Sequence, residues 1–161
     1  LRNLLVKSST GLPTRVHQGG TYVCLEGPQF STRAESELHR AWGATLIGMT
    51  AMPEAKLARE AEICYALVAL PTDYDCWRPH PQNVDQAKLL EEIISNVKVA
   101  TQNAFELMKR AAPGIPALAE KACLCQSALQ LAIWSDKAKI PEETRKKLQP
   151  LLGKYLEPGQ G

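Results

Sequence analysis

Between residues 19 and 70, short β-branched apolar runs alternate with amphipathic helical patterns, and this alternation confines the chain to an α/β architecture with parallel strands. Residues 21–25 follow the Gly19-Gly20 break and read as a strand. Thr32-Arg33-Ala34-Glu35 has the spacing of a capping box, with Thr32 as N-cap and Glu35 reaching back to it. The helix that follows sets Ala34, Leu38, Ala41 and Trp42 on one face and ends at Gly43. Residues 44–47 read as a second strand. Pro53 suits the first turn of a second helix, which turns Leu57, Ala58 and Ala61 inward. Residues 63–70 are continuously apolar, as expected of a third strand covered on both faces.

The remainder reads as helical. Asn83 is the expected cap of a long helix whose apolar stripe includes Leu90, Ile94, Val97, Leu107 and Ala111, and Pro113-Gly114 closes it. Residues 118–133 and 141–152 are further helix candidates, and the tail at 157–161 is expected to fray. At 161 residues the chain is long enough for one domain. The expected layout is a single domain over 1–161, with strand-helix alternation at 19–71 and mainly helix at 83–152. Leu1-Arg2-Asn3-Leu4-Leu5 reads as the end of a helix already under way, so the sequence is expected to start inside a domain rather than with a signal peptide.

Composition excludes several functions. Net charge is +2 with 22% charged residues, and no Lys/Arg patch forms a nucleic-acid surface. Arg145-Lys146-Lys147 sits beside Glu142 and Glu143 and reads as a solvated helix face. No apolar run approaches the ~20 residues a membrane helix needs. The five cysteines are odd in number and scattered, which does not describe a disulfide framework. Cys24 and Cys64 lie in apolar runs and read as small buried thiols. Cys123 and Cys125 have no partner pair at zinc-finger spacing, so no metal site is expected. A reducing, cytoplasmic compartment follows.

Ligands of open α/β sheets bind beyond the carboxyl ends of the strands. That rule selects residues 26–31, 48–50 and 71–75, which converge if the three strands are neighbours. Phe30 offers a ring face for stacking or anchors its loop in the core. Thr50 offers a hydroxyl to an anion or simply caps the next helix. Asp73 and Asp75 are two apart; on an extended segment both face one ligand while Tyr74 faces away, and in a plain turn both are solvated acids. His39 reads as a surface residue on its helix, and His80 lies close to the last segment. Trp42, Trp77 and Trp134 read as packing residues.

These segments resemble a known family. Tyr22-Val23-Cys24-Leu25-Glu26-Gly27-Pro28-Gln29-Phe30-Ser31-Thr32-Arg33-Ala34-Glu35-Ser36 resembles the signature of the trimeric nucleoside phosphorylases, and Gly48-Met49-Thr50-Ala51-Met52-Pro53-Glu54 resembles a second segment of theirs. Thr72-Asp73-Tyr74-Asp75-Cys76-Trp77 resembles the branch that cleaves 5'-methylthioadenosine. The similarity runs from Gly19 to about Ala112.

The resemblance implies a three-layer nucleoside phosphorylase-like α/β domain, a central mixed sheet flanked by helices, of which this sequence is the C-terminal portion. It implies phosphorolysis of methylthioadenosine, or of adenosine, to adenine and a pentose 1-phosphate. Phosphate is a co-substrate and no cofactor is needed. It implies a homotrimer, with no nucleic-acid or membrane partner. By similarity Phe30 and Ser31 lie at the purine and ribose, Met49 lies against the ribose, Thr50 touches phosphate, and Val84 lies near the 5'-substituent. Asp73 and Asp75 hold the purine, with Asp73 as proton partner of the departing base and Asp75 as acceptor from its 6-amino group. Family members carry a Gly-rich strand-turn and an Arg-His pair that grip phosphate, in a region preceding the one that matches Leu1. Two other readings remain open at this stage: a 6-oxopurine phosphorylase, against which Asp75 argues, and a truncated, non-catalytic chain that binds nucleoside or a partner subunit.

Overall fold

The computed structural model describes residues 1–79 and 85–156. In chain order its elements are α1 (Arg2–Ser8), β1 (Tyr22–Cys24), α2 (Arg33–Ala41), β2 (Leu46–Gly48), α3 (Glu54–Glu60), α4 (Gln86–Ala111), α5 (Ile115–Ala119) and α6 (Glu142–Leu156), with 3-10 turns at Ala112–Gly114, Leu124–Ser127 and Lys137–Lys139. The chain forms two compact units: Leu1–Met52 with Ala66–Ala119, and Pro53–Tyr65 with Glu120–Gly161.

In the first unit β1 and β2 pair in parallel, Tyr22 opposite Leu46, Val23 opposite Ile47 and Cys24 opposite Gly48. Parallel neighbours need a crossover, and α2 supplies it. The pair is fastened where it begins. Thr21 N–H donates to Thr45 Oγ1 at 2.9 Å, and Thr45 N–H donates to Thr21 O at 2.9 Å. Gly20 has φ +143°, and a Cβ there would stand 2.4 Å from Thr45 Oγ1, so glycine alone fits. At the other end, a Cβ on Gly48 would stand 1.9 Å from the Tyr22 hydroxyl.

The capping box forms as its spacing predicts. Glu35 N–H donates to Thr32 Oγ1 at 3.3 Å, and Thr32 N–H donates to Glu35 Oε2 at 2.7 Å. The hydrogen bonds from Thr32, backbone first, hold the Glu35 carboxyl below its ordinary range. Gly43, at φ +83°, lies just past the end of α2. Helix α4 starts at Asp85, whose carboxylate accepts the Ala87 N–H at 3.0 Å; Asn83, the expected cap, lies outside the described residues. Leu107 and Ala111 of α4 are buried. Helix α1 packs on α4, and Arg110 ties the two regions by donating to Thr10 O at 3.2 Å.

The third expected strand does not join the sheet. Among the described residues the sheet has two strands, and Ile63, Leu67, Val68 and Leu70 are exposed. A continuous apolar strand is stabilised by a ladder and by cover on both faces, and the described residues provide neither.

In the second unit, Glu62 follows α3 in the left-handed region at φ 54°. Its side chain is only 7% exposed, and it accepts from Leu129 N–H at 2.9 Å and Tyr155 Oη at 2.5 Å while pairing with Lys154. Burial pushes this carboxyl up, but the hydrogen bonds from Lys154, Tyr155 and Leu129 outweigh it and bring it to about 2. The helix expected at 118–133 is interrupted. Cys123 is extended (φ −135°, ψ 135°), and its N–H is captured by Gln126 Oε1 at 3.3 Å, which starts the short turn Leu124–Ser127 instead. Trp134 is 92% exposed, so the packing role expected of it is not observed. Cys64 is likewise exposed rather than buried.

Candidate functional site

The segments that follow β1 and β2, and the segment at 71–77, meet within the first unit. Leu25 N–H donates to Gly48 O at 2.8 Å, which carries the strand pairing one residue further. Gly27 (φ +71°) lies against Met49, whose Sδ would be 3.1 Å from a Cβ at Gly27. The third segment is held from two sides. Ser36 of α2 donates from Oγ to Asp75 Oδ2 at 2.6 Å, and the Cys76 thiol donates to Ser31 O at 3.2 Å. From the other side, Asn96 of α4 donates from Nδ2 to Thr72 O at 2.7 Å.

Together these segments and one face of α2 line an open cleft of about 490 Å3. Phe30, Ser31, Met49, Asp73 and Asp75 all line it. Thr50 is exposed and lies one residue beyond the lining; Val84 and His80 lie outside the described residues. Phe30 is 82% exposed, so it does not anchor its loop in a core.

The 73–77 segment differs from the extended form considered above. The chain bends at Asp73, and Tyr74 lines the cleft together with both aspartates rather than facing away from it; beyond them, Arg78 N–H donates to Asp75 O at 3.1 Å and turns the chain. The Tyr74 ring meets Trp77 edge-on at 5.8 Å and carries the Arg78 guanidinium at 4.1 Å. Asp73 is exposed, and Thr72 Oγ1 donates to its Oδ1 at 2.5 Å. Asp75 is half-buried and accepts on both oxygens: Oδ2 from Ser36, and Oδ1 from Cys76 N–H at 2.9 Å.

Three residues of α2 were not anticipated. Ser36, 1% exposed, is the most deeply buried side chain of the site. His39 and Arg40 follow it by three and four positions and also line the cleft. His39 is therefore not the surface residue its helix position suggests. That i, i+3, i+4 spacing was the available signal; it was masked by the apolar stripe on the other side of the helix. Arg40 lies over the Trp77 ring at 4.0 Å, so Trp77 is the lid of a cation–π contact at the cleft wall. Ser31 Oγ and His39 Nδ1 are enclosed and make no hydrogen bond among the described residues. Enclosed polar atoms normally find partners, and these two, on residues that line the cleft, have none among the described residues.

Residues 1–113 match the family described as the phosphorylase superfamily. The chain belongs to the phosphorylase superfamily. The S-methyl-5'-thioadenosine phosphorylase of Geobacter sulfurreducens is 50% identical over 144 residues, 88% of this chain and 47% of that protein. The enzyme of the same name from Cereibacter sphaeroides is 44% identical over 162 residues, 98% of this chain and 53% of the relative. The crystal structure of a methylthioadenosine phosphorylase from an antarctic soil metagenomic library superposes with a TM-score of 0.79 at 40% identity, covering 93% of this chain and 52% of that one. A double mutant of the Schistosoma mansoni adenosine/methylthioadenosine phosphorylase in complex with adenine gives a TM-score of 0.64 at 28% identity, over 81% of this chain and 50% of that one. The chain thus spans about half the length of the curated relatives it matches. This superfamily chain has the nucleoside phosphorylase fold in part, and the whole cleft lies within the matched residues.

Proposed function

We propose that this chain is the C-terminal portion of a single-domain S-methyl-5'-thioadenosine phosphorylase and that the cleft is its purine side. The observation that carries this reading is the meeting of Asp73, Asp75 and the exposed Phe30 ring in one open cleft. Its closest chemical fit is a flat base with both donor and acceptor edges.

In the proposed reaction a phosphate oxygen bonds to the anomeric carbon, and the carbon–nitrogen bond to the base breaks with its electron pair going to adenine. Asp73 gives a proton to N7 of the departing base and regains one from solvent. A positioned acid of this kind accelerates cleavage ~10²–10⁴-fold. Asp75 accepts from the 6-amino group. Ser36 and Cys76 both donate to it, which fixes it as an acceptor, and each oxygen keeps a second lone pair for the ligand. A 6-oxo base would set acceptor against acceptor. Phe30 stacks on the base, Ser31 hydrogen-bonds beside it, and Met49 covers the ribose. Thr50 meets phosphate from just outside the cleft, and Val84 approaches the 5'-substituent. Phosphate is a co-substrate and the chemistry needs no cofactor. A homotrimer in the cytoplasm completes the reading, and no helix among the described residues is long and apolar enough to cross a membrane.

The test is phosphate-dependent base release by the full-length protein from methylthioadenosine, adenosine and inosine. Methylthioadenosine is expected to be preferred, and Asp75→Asn to raise inosine turnover relative to it. An unchanged substrate ratio in Asp75→Asn removes the role given to that residue; base release that does not depend on phosphate removes the reaction.

A further inference from the structure

Three thiols far apart in the sequence meet in the second unit, away from the cleft. Cys64 follows α3, and Cys123 and Cys125 stand at the start of the turn Leu124–Ser127. Their Sγ atoms all lie within 4.8 Å of one another, with Cys64 and Cys123 3.3 Å apart. We propose that Cys64, Cys123 and Cys125 form a binding site for one thiophilic divalent cation of the zinc class, held by three thiolates with a fourth position open to water.

The geometry suits such an ion. Zinc–thiolate bonds are about 2.3 Å long, which sets sulfurs around a tetrahedral ion about 3.8 Å apart. One observed spacing, 3.3 Å, is a little shorter than that value and all three lie within 4.8 Å, so the sulfurs are close enough together to share one ion. The donor set selects the metal: calcium and magnesium require oxygen ligands, and the grouped ligand atoms here are all sulfur. The backbone around Cys123 is already shaped for the purpose. Its extended conformation and the capture of its N–H by Gln126 bring the side chains of a Cys-Leu-Cys run to one ion. Cys64 is exposed, which leaves the open position facing solvent. On binding, each thiol releases its proton to solvent, three per ion, and the divalent centre with three thiolates carries one net negative charge. The site joins positions 59 residues apart, beside the buried Glu62 carboxylate.

The cluster escaped the sequence because two of its ligands are only two residues apart and the third is distant. A Cys64–Cys123 disulfide is the competing use of these sulfurs, and the experiment separates the two. The reduced full chain is titrated anaerobically with cadmium, and thiolate-to-metal charge-transfer absorbance is followed. Saturation at one equivalent is expected, with the band lost in Cys64→Ser, Cys123→Ser and Cys125→Ser but kept in Cys24→Ser. A wild-type measurement avoids dependence on variants that fail to fold. With zinc present, iodoacetamide followed by peptide mass mapping is expected to modify Cys24 and Cys76 at least tenfold faster than the three cluster cysteines. Equal alkylation of all five with zinc present, or a band that survives all three cluster substitutions, overturns the proposal. So does a reduced chain that takes up no metal and only forms the Cys64–Cys123 disulfide in air.

Discussion

Replacing Ser36 with alanine is expected to loosen the site segment by a calculable amount. Ser36 is 1% exposed, and its hydroxyl donates to Asp75 Oδ2 at 2.6 Å. A hydrogen bond to a charged group contributes ~1.5–3 kcal/mol. Asp75 is half-buried and keeps the Cys76 N–H on its other oxygen, so water and that donor recover part of the loss. The expected cost therefore falls near the low end, at about 1.5 kcal/mol. For a chain of this size that lowers the melting temperature by roughly 3–6 °C. Asp75→Ala leaves the enclosed Ser36 hydroxyl without its acceptor and is expected to cost ~1–3 kcal/mol. The decisive measurement is the double-mutant cycle by urea unfolding, with an expected coupling of ~1–2 kcal/mol between the two positions. Coupling within about 0.5 kcal/mol of zero would mean that the two residues do not hold each other, and the account of how α2 positions Asp75 would be refuted.

Glu62 makes stability depend on acid. Its folded-state carboxyl is brought to about 2 from an ordinary value of 4.5, so its contribution is fully present above about pH 4.5 and is lost as the pH falls from there toward 2. Unfolding midpoints of wild type and Glu62→Gln should differ at pH 6 and converge through that window; a gap that stays constant with pH contradicts the assignment. Gly48→Ala puts a Cβ 1.9 Å from the Tyr22 hydroxyl and is expected to cost ~1–3 kcal/mol, with part recovered by Tyr22→Ala in the double variant by thermal unfolding. Thr32→Ala removes one arm of the capping box and is expected to cost ~1 kcal/mol, read as faster amide exchange in the first turn of α2.

What the sequence reveals here divides by range. The Thr32–Glu35 box and the turn at Gly43 depend on neighbours within a few residues and form where the pattern puts them, whereas the two short strands, which pair across 24 residues, form close to their expected places but with β2 shifted to Leu46–Gly48. The 63–70 run fails to join the sheet because a strand is made by its partners, which its own composition does not contain. Residues 118–133 carry a helical pattern, yet one side chain, that of Gln126, captures a backbone N–H and breaks it. In the site, the loop residues were legible because strand ends attract ligands. Ser36 was not, because its place at the cleft depends on a contact with a segment 39 residues away. The three-cysteine cluster was hidden for the same reason.

The hydrogen bond from Asn96 to the Thr72 carbonyl has a consequence for the neighbouring amide. A trans peptide is planar, with its C=O and N–H pointing in opposite directions. Fixing the Thr72 oxygen toward α4 therefore aims the Asp73 N–H away from that helix, and the peptide plane cannot flip without breaking the bond. A helix that contributes nothing to the cleft lining thus sets the direction of a backbone dipole next to the carboxylate on which the proposed chemistry depends. Loss of that side-chain amide would free the dipole to reorient while leaving every residue of the cleft wall chemically intact.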